Sequence, residues 1–100
     1  MAFFEKTIQK VPQEGVHLRV SKGVAFLLAD ADFEDVNLYF EVVCGVRTKV
    51  KTTLDILALG IGGKNNLKFI LESQKKSEDD LVDLAEEVAF TLTHVTGIAV

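Results

Sequence analysis

The chain predicts an α+β fold. It is an open-faced β-sandwich of order β-α-β-β-α-β-α, with three helices over one face of a four-stranded antiparallel sheet. Three observations predict it. Apolar residues recur at helical spacing in three stretches. Between those stretches they alternate with polar ones, as in strands buried on one side. A sheet with one apolar face is covered on that face only.

Residues 4–10 read as a first strand, and the segment Val11 to Gly15, with Pro12 and Gly15, breaks it. From Val20 the apolar positions fall at 20, 24, 27, 28 and 31, one face of a helix from about His17 to Asp30. Val36, Leu38, Phe40 and Val42 alternate with Asn37, Tyr39 and Glu41, and Val46, Thr48 and Val50 with Arg47, Lys49 and Lys51. Cys44-Gly45 joins these two strands as a hairpin, since glycine tolerates positive φ. Thr52 and Asp55 stand at capping-box spacing before a short second helix, and Gly60 is placed to stop it. Leu67, Phe69 and Leu71 point one way in a fourth strand, Lys68 and Glu72 the other. The last helix follows Ser77, a capping residue, with Glu78, Asp79 and Asp80 complementing the helix dipole. Its buried stripe is Leu81, Leu84, Ala85, Val88, Leu92 and Val95. The remaining face of the sheet, with Asn37, Tyr39, Arg47, Lys49, Lys68 and Glu72, is expected to meet water.

One hundred residues make one domain, 1–100. Eleven basic against fifteen acidic residues give a net charge of −4, which argues against a duplex nucleic-acid partner. The opening MAFFEKTIQK lacks the apolar core of a signal peptide, and the longest apolar run, Val24 to Ala29, is too short to cross a bilayer. A cytoplasmic protein with no membrane insertion is expected. Cys44 is the only cysteine, so no internal disulfide forms, which fits a reducing compartment.

His17 carries the sharpest chemical signal. At a helix N-terminus the dipole disfavours the imidazolium, leaving a neutral ring with a free lone pair. Such a ring can attack phosphorus, and the phosphate it gains would lie against unpaired helix N–H groups. Arg19 could meet that phosphate with its planar fork. A surface histidine that merely caps a helix explains the same pattern. His94, near the end of the last helix, reads as a ring beside C-terminal carbonyls. Two distant histidines and one cysteine make no metal set. The stretch Gly60 to Asn66 matches no nucleotide-binding loop and reads as a turn. Thr52 reads as a helix cap, and also as a regulatory phosphorylation site where added charge is tolerated. No catalytic partner for Cys44 can be read.

The element order, the GVHLR run before the first helix and KTTLDILALGIG around the second together resemble the histidine-containing phosphocarrier protein (HPr) family of the bacterial phosphoenolpyruvate-dependent sugar phosphotransferase system. The resemblance covers about residues 5–92 and leaves a short C-terminal extension. The family motif G-[LIM]-H-x-R-P-[AS] reads here Gly15-Val16-His17-Leu18-Arg19-Val20-Ser21. The resemblance implies that His17 is the phosphorylated residue and Arg19 its phosphate partner. It implies that Thr52, after Lys51, is the regulatory hydroxyl, with threonine where serine is usual. Thr53, Leu54, Leu57 and Ala58 match the family's partner-docking positions.

The implied protein is a monomeric phosphohistidine carrier without cofactor or metal, classed with transferases yet not a turnover enzyme. It would take phosphate from enzyme I and pass it to an enzyme IIA-type sugar-permease component or a regulatory acceptor. The alternative is an HPr-like regulatory module, controlled through Thr52 by an HPr kinase/phosphorylase and docking onto a kinase or transcriptional regulator. Val20 stands where the family has proline, and Gly23 lies inside the first helix, where it costs about 1 kcal/mol relative to alanine. These mark a divergent member.

Overall fold

A computed structural model describes residues 2–8, 18–43, 45–59 and 67–98. In chain order the elements are β1 (Ala2–Ile8), α1 (Leu18–Leu28), a 3-10 turn (Ala31–Phe33), β2 (Val36–Val43), β3 (Val46–Val50), α2 (Thr53–Leu57), β4 (Leu67–Ser73) and α3 (Glu78–Ile98). The four strands form one sheet in the order β1-β4-β2-β3, with every neighbouring pair antiparallel. α3 lies against β1 and β4, α1 packs between α3 and α2, and α2 reaches β3. The open-faced α+β sandwich is therefore the fold.

Alternation explains the core. Leu38 and Phe40 on β2, Val50 on β3, and Leu67, Phe69 and Leu71 on β4 are buried on the helix side of the sheet. Val24 of α1, Ile56 of α2, and Leu81, Leu84, Ala85, Val88 and Leu92 of α3 meet them from the other layer. Each large apolar side chain buried this way contributes roughly 1.5–3 kcal/mol. The α3 stripe read at helical spacing is thus the buried one as far as Leu92; the Val95 side chain lies outside the described residues. α3 itself continues as helix through the C-terminal stretch to Ile98. Ser77 caps it, its hydroxyl accepting the Asp80 N–H at 3.3 Å.

Four details differ from the sequence reading. β1 begins at Ala2 instead of residue 4, because β4 offers it a partner as far as Ser73, opposite Ala2. α1 ends at Leu28, and a 3-10 turn follows, opened by Asp30, whose carboxylate accepts the Asp32 N–H at 3.0 Å. Phe33 in that turn is buried; three residues are too few to carry a periodicity. β2 carries a bulge, since Phe40 pairs with Thr48 while Val43, not Val42, pairs with Val46. The extra residue breaks the simple alternation near the hairpin, and Val46 is 56% exposed. Gly45, in the connection, has φ +84, as a residue without Cβ allows. Cys44 and Gly60 lie outside the described residues.

The fourth difference concerns the open face. Arg47 and Lys49 are exposed, yet Asn37, Tyr39, Lys68 and Glu72 are half-buried, and Ile70 between the last two is 0% exposed. Ile70 stands in register with Glu5 on β1 and Tyr39 on β2, long side chains on the same face that shield it. Charged groups tie the strands together there. Arg47 pairs with Glu5 and with Glu41 (3.2 Å), and Lys68 reaches Glu5 at 3.1 Å and Glu41 at 4.0 Å. The hydrogen bond from Lys68, with its charge and that of Arg47, outweighs desolvation and holds the Glu5 carboxyl below the ordinary range. Hydrogen bonds donated to Glu41 and then to Glu5 raise the Arg47 guanidinium further.

Candidate functional site

The sequence places its candidate residues at the heads of the first two helices. α1 starts at Leu18, immediately after His17, and Arg19 lies in its first turn. His17 and the Arg19 side chain lie outside the described residues. Ser21, one turn into the helix, is fully buried, and its hydroxyl has no hydrogen-bond partner among the described residues. A buried donor left unpaired costs about 1–3 kcal/mol, so the head of α1 carries a polar group that the core does not satisfy.

The head of α2 is defined atom by atom. Thr52 has an extended backbone (φ −114, ψ 165) and is the N-cap. Its hydroxyl accepts the Asp55 N–H at 3.2 Å. The Asp55 carboxylate returns the interaction, accepting the N–H groups of Thr52 and Lys51, each at 3.0 Å. The box therefore forms with aspartate where glutamate or glutamine is the usual partner. The backbone N–H groups of Thr52 and then Lys51 hold the Asp55 carboxyl below the ordinary aspartate value despite some desolvation.

Of the docking positions, Leu54 is 76% exposed and Ala58 is exposed, while Thr53 and Leu57 are half-buried. Ile56, facing the other way, is fully buried and anchors the helix. Thus five residues present one apolar side to solvent and bury another. Phe26 on α1, which packs against α2, is 84% exposed. Sequence reasoning passed over it, although the signal is visible: it is a large apolar residue off the 20-24-27-28-31 stripe.

A second polar cluster lies at the C-terminal end of β4. The buried Ser73 hydroxyl donates to Asp35 Oδ2 at 3.1 Å and accepts the N–H groups of Lys75 and Lys76 at 3.1 and 2.9 Å. The Lys76 ammonium stands 3.4 Å from Asp35 Oδ1. Desolvation pushes Asp35 upward, but its own backbone N–H, Ser73 and Lys76 outweigh that and leave it lowered. The cluster fixes the turn into α3 against the start of β2. Among the described residues no group of three or more His, Cys, Asp or Glu side chains is placed to share a metal ion.

This architecture is that of the HPr-like open-faced sandwiches. The chain is similar to the phosphocarrier protein HPr from Bacillus anthracis str. Ames, with a TM-score of 0.57 and 22% identity over 87% of this chain and 98% of that one. It is also similar to HPr-C-His from Thermoanaerobacter tengcongensis, with a TM-score of 0.54 and 19% identity over 89% of this chain and 94% of that one. No protein-family model and no curated protein sequence matches the chain. At these identities the likeness establishes the HPr-like fold. Among the described residues no helix is long and apolar enough to cross a membrane.

Proposed function

We propose that this single domain is a divergent phosphocarrier of the sugar phosphotransferase type, working in the cytoplasm. His17 receives a phosphoryl group from the phosphohistidine of an enzyme I and hands it to an enzyme IIA-type or regulatory acceptor. In each transfer one N–P bond forms as another breaks, and the departing imidazole keeps the electron pair. Arg19 neutralises charge on the moving phosphoryl group. The observation that carries this reading is the start of α1 directly after His17 in an HPr-like fold. A helix head at that position offers backbone N–H groups to an anion. Leu54 and Ala58, with Thr53 and Leu57 beside them, form the surface on which donor and acceptor dock.

Incubation of the full chain with enzyme I and phosphoenolpyruvate tests the carrier, read by intact-mass spectrometry before and after acid treatment. An acid-labile gain of one phosphoryl group, absent from His17→Ala and slowed in Arg19→Ala, is the expected result. Equal labelling of wild type and His17→Ala rules the carrier out.

The capping box supports a second reading, the regulatory module in which an HPr kinase/phosphorylase modifies Thr52 and so controls docking. Acid-stable phosphate on Thr52 with no labelling of His17 would select it.

A further inference from the structure

The α1–α3 face lies outside both helix heads and is used by neither reading of the protein. Its character follows from the sequence of α3. That helix carries Glu78, Asp79, Asp80, Asp83, Glu86 and Glu87 and no lysine or arginine. A shallow groove runs along it, bounded toward the N-terminal end by Asp32, Asp80 and Asp83 and further on by Glu86, Glu87 and Phe90. Leu84 and, from α1, Leu27 supply apolar floor. Phe90 is 57% exposed. Asp80, Asp83, Glu87 and Phe90 recur at spacings of three and four, so they form one stripe about 15 Å long at 1.5 Å per residue. Among the described residues lining the groove the one cation is Lys76, and its charge is directed at Asp35, 3.4 Å away.

An apolar floor with a wall of one sign fixes the chemistry of its occupant. A neutral apolar partner would strip water from carboxylates without replacing it, which is costly. A second copy would set α3 carboxylates against their own kind. A basic amphipathic helix satisfies both parts: its apolar residues cover Leu27 and Phe90, and its lysines or arginines meet Asp83, Glu86 and Glu87. We propose that the α1–α3 groove docks a basic amphipathic helix of a partner protein, apart from the phosphotransfer surface.

The test uses the full chain and a fluorescein-labelled helix of leucines and lysines in amphipathic order, with a peptide of the same composition in scrambled order as comparison. Fluorescence anisotropy should show saturable binding of the ordered peptide and much weaker binding of the scrambled one. Phe90→Ala should weaken the ordered peptide about tenfold, as loss of an anchor worth about 1.4 kcal/mol does. Asp83→Lys combined with Glu87→Lys should remove binding, and Leu54→Ala, on the other surface, should leave it unchanged. All these side chains lie at the surface, and a circular-dichroism melt of each variant checks the fold. Several results overturn the proposal: no saturable binding, equal binding of both peptides, indifference to Phe90→Ala, or binding that survives charge reversal. Loss of binding in Leu54→Ala would place the peptide on α2 and overturn it as well.

Discussion

Thr52 and Asp55 cap each other: the Thr52 hydroxyl accepts the Asp55 N–H at 3.2 Å, and the Asp55 carboxylate accepts the Thr52 N–H at 3.0 Å. A helix of five residues has little hydrogen bonding of its own, and helix nucleation is unfavourable. α2 therefore depends on this box and on buried Ile56. Thr52→Ala should cost about 1 kcal/mol, a fall of about 4–8 °C in melting temperature for a domain of this size, read by calorimetry. Thr52→Ser should melt close to wild type.

The same pair sets a pH dependence. The folded pKa of Asp55 lies below the ordinary aspartate value of 3.8, so the folded chain binds this proton less readily than the unfolded chain. The contribution of the carboxylate is complete above that value and disappears as pH falls through the folded one. Melting temperatures of wild type and Asp55→Asn, measured from pH 7 to pH 2, should converge at the acid end. Curves that stay parallel would mean that the carboxylate is no better held in the folded state.

Negative charge on Thr52 meets the carboxylate of Asp55. Aspartate caps helices as well as threonine does, but here two acids would share one helix head. Thr52→Asp should melt slightly below wild type at low salt, recover at high salt, and recover also when combined with Asp55→Asn. At the surface the added charge must be desolvated by any partner packing on Leu54 and Leu57, which is costly. Calorimetric titration with enzyme I should show weaker binding for both Thr52→Asp and Leu54→Ala. Affinities equal to wild type in both variants would exclude α2 as the docking surface.

Ser73→Ala is expected to be among the more damaging conservative changes. It removes the acceptor for the Lys75 and Lys76 N–H groups and the donor to Asp35. Leaving such partners unsatisfied costs about 1–3 kcal/mol. Urea unfolding should show a lower midpoint with an unchanged slope.

Ile70 tests the open face. Were that face wet, Ile70→Ala would shift stability by less than about 0.5 kcal/mol. Ile70 is 0% exposed, so the expected loss is about 2–5 kcal/mol, the range of isoleucine truncation in a core. Leu71→Ala, on the helix side, is the matched comparison in the same urea experiment.

The sequence by itself determined what depends on neighbours along the chain. The period-2 segments became β2, β3 and β4, the stripe from Leu81 to Leu92 became the buried face of α3, and Thr52 with Asp55 became the cap of α2. These are legible because the residues that decide them lie within a few positions of one another. The exposed apolar side of α2 was not read from local pattern: Leu54 and Ala58 were matched to docking positions by the family resemblance alone, and both are exposed. Tertiary structure alone decided the rest. Ile70 is buried because β1 and β2 set Glu5 and Tyr39 beside it, and Asp35 is held because Ser73 and Lys76 arrive from 38 residues or more along the chain. The bulge in β2 depends on how β3 pairs with it, and the acidic groove depends on α1 packing against α3. Each joins groups far apart in sequence, and a periodicity records only which side of an element is apolar, not what packing brings against the other side.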